Sequence, residues 1–181
     1  MVRHLILGAV LTAITGTALT GCGGGDSDEP PVPPEVAWAG RFCTTIGENT
    51  QLSLPQVDLN KPAEAKDALV AFLDSVSTKL KAQAGRLQSA GAPPVSGGQT
   101  AMDQALKKLN DTQAAVNAAN TKLRATKVTN QAGLKTAFTR AGQDMAKFGS
   151  YQGPVRDLGA SNPTLGQAFS KAPACKSQVS G

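Results

Sequence analysis

The sequence predicts an all-α fold: an antiparallel bundle of about four main helices plus a short C-terminal helix, closed by a disulfide between its ends. Three observations carry this. Apolar residues recur at steps of three and four through most of the chain. No stretch alternates with a period of two for long enough to form a strand. Two cysteines, Cys43 and Cys175, stand near the two ends of the body.

The first element lies before the bundle. Met1 to His4 give a short basic start through the terminal amine and Arg3, and Leu5 to Leu19 follow without a charge. That is the layout of a signal peptide, and 15 residues is short of the roughly 20 that a spanning helix needs. Small residues then precede a cysteine in Leu19-Thr20-Gly21-Cys22, and Gly23-Gly24-Gly25 follows with no apolar continuation. This stretch resembles the lipobox of bacterial lipoproteins. The resemblance implies that Cys22 becomes a diacylglyceryl thioether at the mature N-terminus, where two or three acyl chains hold a protein on a membrane that a single chain would not. Plain secretion, with Cys22 discarded or left as a thiol, is the alternative. The segments are thus 1–21 as signal peptide, 22–35 as lipidated N-terminus and tether, and 36–181 as the helical domain.

Residues 23 to 35 read GGGDSDEPPVPPE. Glycine confers flexibility and the four prolines favour extended polyproline geometry, so this segment is a spacer without fixed structure. It is also acidic: Asp26, Asp28, Glu29 and Glu35 are its only charges. Of the 18 Lys and Arg residues only Arg3 precedes Val36, and of the 13 acidic residues four do, so the body carries 17 basic and 9 acidic groups. A net charge of plus eight suits either contact with anionic phospholipid heads and envelope polymers or simple solubility. Aromatic residues make up only 4% of the chain and no nucleic-acid motif is present, so nucleic acid is not an expected partner.

The first bundle helix is short. Val36, Ala39, Phe42, Cys43 and Ile46 fall at helix spacing, placing Cys43 on the buried face with Trp38 to one side. Residues 47–60 read as a loop. The second helix, residues 62–90, has the clearest stripe: Leu69, Leu73, Val76, Leu80, Ala84 and Leu87, widened by Phe72. Asn60 or Lys61 before Pro62 suits its start, and Gly91-Ala92-Pro93-Pro94 its end.

Ser96-Gly97-Gly98-Gln99 has the spacing of a capping box for the third helix. Behind it run Met102, Leu106, Leu109, Val116 and Leu123, with Gln113 and Asn120 on the same seam. Polar seam residues fix register, lie at a wet rim or line a pocket. After a turn at 126–130 a fourth stripe follows, Leu134, Phe138, Ala141, Met145 and Phe148. Gly133 and Gly142 weaken this helix by about 1 kcal/mol each relative to alanine, which close approach of a neighbour would explain. The last segment holds Val155 and Leu158, a cap at Ser161-Asn162-Pro163, then Leu165, Ala168 and Phe169. Ala172-Pro173-Ala174-Cys175 stops that helix and presents the cysteine to the first one. With Cys22 assigned to the lipid, an oxidising compartment and an even remainder pair Cys43 with Cys175. A redox role is the alternative, with no C-x-x-C to support it.

With these landmarks in place, the chain resembles the small secreted or lipid-anchored envelope proteins of actinobacteria. Leu19 to Cys22, Trp38 with Phe42-Cys43, the Gly91-Ala92-Pro93-Pro94-Val95 turn and Ala172-Pro173-Ala174-Cys175 carry the resemblance. It implies an exported helical domain with a terminal disulfide and brings no catalytic residue with it.

Chemistry is sparse in the sequence. The one histidine, His4, lies in the signal segment, which removes His-based triads, His general bases and most catalytic zinc sites from the body. Thr78-Lys79 is the nearest approach to a hydroxyl-lysine dyad, and Glu64, Asp67 and Asp74 are interleaved with lysines as solvated helix charges. No catalytic residue, metal or cofactor is expected. The expected function is therefore a non-enzymatic interaction role on the outer face of the cytoplasmic membrane. It would be held there by the anchor at Cys22, with an anionic envelope polymer, a lipid or a protein as partner. The alternative is a small-molecule or lipid binder with a pocket between the long helices at Gln113, Asn120, Phe138 and Met145, which a cavity of several hundred cubic ångströms would support.

Overall fold

The computed structural model describes residues 30–47, 53–146 and 151–179. By contacts the chain divides into Met1–Pro31 and Val32–Gly181, and every helix below belongs to the second unit. Cys22 and most of the tether lie outside the described residues.

The described residues form α-helices and one 3-10 turn, with no strand among them. The helices are α1 (Pro34–Gly47), α2 (Pro62–Ser89), α3 (Gly98–Ala125), α4 (Gln131–Ala146), α5 (Pro154–Ser161), α6 (Pro163–Lys171) and α7 (Lys176–Val179). The turn, Pro173–Cys175, joins α6 to α7. Helices α2 and α3 are each 28 residues long, about 42 Å at 1.5 Å per residue. They pack along one another as the spine of the fold.

Two hydrophobic clusters sit on this spine. One gathers Trp38, Phe42, Cys43 and Ile46 of α1, Leu87 near the end of α2, Met102 and Ala105 at the start of α3, and Leu158, Leu165 and Phe169 from α5 and α6. The other gathers Leu73 and Leu80 of α2, Leu109, Val116 and Leu123 of α3, and Leu134 and Ala137 of α4. The spine is thus capped at one end by both termini of the body and flanked toward the other by α4. Burying each of these large side chains contributes about 1.5–3 kcal/mol.

The disulfide lies in the first cluster. Cys43 and Cys175 are bonded with Cα atoms 5.1 Å apart at a sequence separation of 132, and both are fully buried. Around it Trp38 stacks on Phe42 with ring centroids 5.0 Å apart, and Phe169 tilts against both rings. The Trp38 indole Nε1 donates to the Ala90 carbonyl at 3.2 Å, so this ring also pins the end of α2.

Several helix ends differ from their sequence signals. The capping box at 96–99 does not form: the cap of α3 is Gly97 with φ of 71° and no side-chain hydrogen bond. Packing decides this, because a Cβ on Gly98 would collide with the Pro93 carbonyl oxygen. The Ser96 carbonyl is instead held by Asn162 Nδ2 at 2.9 Å. Lys61 precedes α2 without a side-chain cap. Asn162 does cap α6, accepting from the Thr164 and Leu165 amides. In α4, Leu134, Ala137 and Ala141 are the buried residues, while Phe138 and Met145 are half-buried at the cluster margin; Phe148 lies outside the described residues. No close approach explains Gly142, where a Cβ would meet nothing within 4 Å, and Gly133 lies beside its cap, Asn130.

The chain-entropy model assigns a cross-link of this span about 5 kcal/mol. Reduction under mild denaturation is therefore expected to lower the melting temperature by roughly 10 °C, with hydrogen exchange accelerated first in α1 and α6; an unchanged melting curve would argue against the staple. Gly98→Ala is expected to cost about 1–3 kcal/mol, read as a lower urea midpoint.

Candidate functional site

Helix spacing places a polar row along the seam of α2 and α3. Asp74 and Ser77 project from α2, and Gln113, Asn117, Asn120 and Arg124 from α3 at steps of three and four. Ser77 Oγ bonds Asn117 Oδ1 at 2.6 Å. Gln113 Nε2 reaches the Ser77 carbonyl at 3.5 Å. Asn120 is buried, and its Nδ2 donates to Asp74 Oδ1 at 2.6 Å. Arg124 donates to the other Asp74 oxygen. These contacts hold one helix register, since a shift by one turn would separate every pair.

Gln113 and Asn120 therefore face α2, whereas Phe138 lies on α4 and helps line a groove with Leu59 and Leu134. Met145 is half-buried at the margin of the second cluster. The structure does not bring the four residues together around one of the described cavities. Asp74, which reads as a solvated helix charge in the sequence, crosses to α3 instead. Thr78 Oγ1 donates back to the Asp74 carbonyl at 2.9 Å.

A second polar group lies where α5 meets α3. Asp157, buried in the first turn of α5, accepts from Lys108 Nζ at 2.5 Å through Oδ1, while Oδ2 has no partner among the described residues. Thr112 donates to the Lys108 carbonyl at 2.8 Å. Nearby, Tyr151 donates its hydroxyl to Gln83 Oε1 at 3.0 Å. Burial first, and then the negative charge of Asp157, push this phenol well above its ordinary range. It is a neutral donor tying the segment before α5 to α2. The sequence gives no sign of it, because neither Lys108 nor Asp157 stands out from other surface charges.

Three of the concave surfaces have largely apolar linings. A groove of about 520 Å³ runs beside α4, lined by Leu59, Gln131, Leu134, Lys135, Phe138 and Thr139 among others. Another of about 490 Å³ lies between Ser53 and Pro55 on one side and Ala68, Ala71 and Phe72 of α2 on the other. A third, about 310 Å³, has Trp38 and Phe42 as floor and Arg41 and Arg86 at its rim. Among the described residues no cluster of His, Cys, Asp and Glu could hold a metal ion, and no helix is long and apolar enough to cross a membrane.

Fold and geometry together define a disulfide-closed, all-helical bundle with a polar seam and apolar surface grooves. Compared with protein-family models, curated proteins and solved structures, the chain shows no match.

Tyr151 is the single tyrosine of the chain, so its titration is directly visible. Absorbance at 295 nm is expected to stay flat in the folded protein through the ordinary range near pH 10, while in urea the phenolate band appears there. A raised phenol pKa favours the folded state below the unfolded value, and that stability is lost as pH climbs beyond it. Melting temperature should therefore fall above about pH 10; a normal titration in the native state would remove Tyr151 from this role.

Proposed function

We propose that the chain is a lipid-anchored, extracytoplasmic helical protein with a non-enzymatic interaction role in the cell envelope. Export is supported by the buried Cys43–Cys175 bond, since such disulfides persist in oxidising compartments. Anchoring rests on Leu19-Thr20-Gly21-Cys22 and the apolar run before it.

The observation that carries the interaction role is an exposed apolar segment. Leu54, Val57 and Leu59 are 80%, 37% and 50% exposed within six residues of chain. Single exposed leucines are unremarkable, but a cluster flanked by two apolar grooves has the character of a contact surface. The basic body adds attraction for anionic envelope polymers, lipids or an acidic protein face.

A second reading, a small-molecule or lipid binder, is favoured by the groove at Phe138, whose volume of about 520 Å³ falls within the range of ligand sites. Both readings leave the surface near Leu59 as the place of function.

Cys22→Ala is expected to abolish incorporation of a radiolabelled fatty-acid precursor; persistent labelling would remove the anchor. For the interaction role, a photo-crosslinking amino acid at position 54 should capture envelope components in cells, and one at the exposed Asn110 on α3 should not. Equal capture from both positions would remove the segment as a specific contact surface.

A further inference from the structure

The groove beside α4 has an internal order. Gln131, Lys135 and Phe138 lie along one side of that helix at steps of about one turn, with Thr139 next to Phe138. Leu134, almost without exposure, forms the floor. Leu59, half exposed on the segment before α2, forms the opposite wall. From residue 131 to residue 139 the helix rises about 12 Å. The lined stretch therefore runs for about two helical turns, a length that an unbranched alkyl chain can follow.

One charge marks the trough midway along its length. Lys135 lines it and makes no ion pair or hydrogen bond among the described residues, in contrast to Lys107, Lys108 and Lys122, each joined to an aspartate. An exposed lysine can lay its methylenes along an apolar wall and keep its ammonium group in water. Gln131 and Thr139 add hydrogen-bonding groups to the same lining, and no carboxylate among the described residues contributes to it.

We propose that this groove binds a fatty carboxylate, with Leu59, Leu134 and Phe138 taking the alkyl chain and Lys135 taking the head. The proposal rests on the binder reading above and names its ligand class. A carboxylate complements the unpaired ammonium, and chain burial covers a leucine that the protein otherwise leaves to water. A single medium-length chain can run along the apolar lining from a head held at Lys135, whereas a two-chain phospholipid would leave one chain unaccommodated.

The test uses the full chain and a photoreactive octanoate carrying a diazirine near its tail, with the corresponding photoreactive octanol as the neutral comparator. Adducts are mapped by mass spectrometry. Labelling is expected to concentrate on Leu59 and residues 131–139, and unlabelled octanoate should compete it away. Lys135→Glu should reduce octanoate labelling there about three- to fivefold, the scale of an exposed charge pair, while octanol labelling holds. Leu59→Ser should reduce both probes. Both residues are exposed, so neither change threatens the fold. Groove labelling that ignores Lys135→Glu would overturn the carboxylate and leave an apolar binder. Labelling spread evenly over the molecule would overturn the carboxylate and the binder reading together.

Discussion

The bond between Cys43 and Cys175 is the constraint on which the arrangement of the termini depends. Helices α1, α5, α6 and α7 have 14, 8, 9 and 4 residues, and isolated helices of such lengths are marginal in water. Each gains stability from packing on the end of the α2–α3 spine, and the disulfide makes that packing mutual: α1 cannot leave without carrying the chain after α6. The aromatic trio of Trp38, Phe42 and Phe169 packs together in the same buried cluster as the two cysteines. Its Trp38–Ala90 hydrogen bond ties the stapled end to the spine.

The other end is organised differently. Helix α4 packs on α3 chiefly through small residues and Leu134, with Lys122–Asp144 as an exposed ion pair across the same face at 2.8 Å. Its larger side chains, Phe138 and Met145, remain at the margin. The segment at 53–60 lies outside the helices and leaves Leu54 to solvent. Large apolar side chains are therefore buried most completely around the cysteines and left more exposed in the groove that Leu59 and Phe138 line.

Much of the fold was legible from spacing alone. The stripe of α2 appears in the sequence because Leu73, Leu80 and Leu87 are large and regularly placed, and the cap at Asn162 because its side chain acts within three residues. Local signals fail where distant atoms decide. The start of α3 follows from the Pro93 carbonyl pressing on Gly98, which no capping-box spacing encodes. The same holds for polar groups: Asp74, Lys108 and Asp157 look like ordinary helix charges until folding sets partners 46 to 50 positions away beside them. Gln113 and Asn120 were visible as polar seam residues, but whether they face a helix or a hollow depends on the angular position of α2. The groove beside α4 was less legible still, since Leu59 reaches it from a loop without periodicity.

The covalent closure has a topological consequence for survival among proteases. Any single clip between residues 43 and 175, whether in the segment before α2, at the turn around Gly91 or before α5, yields two pieces still joined through sulfur. Neither piece can diffuse away, and the spine can hold them in place as a nicked but intact molecule.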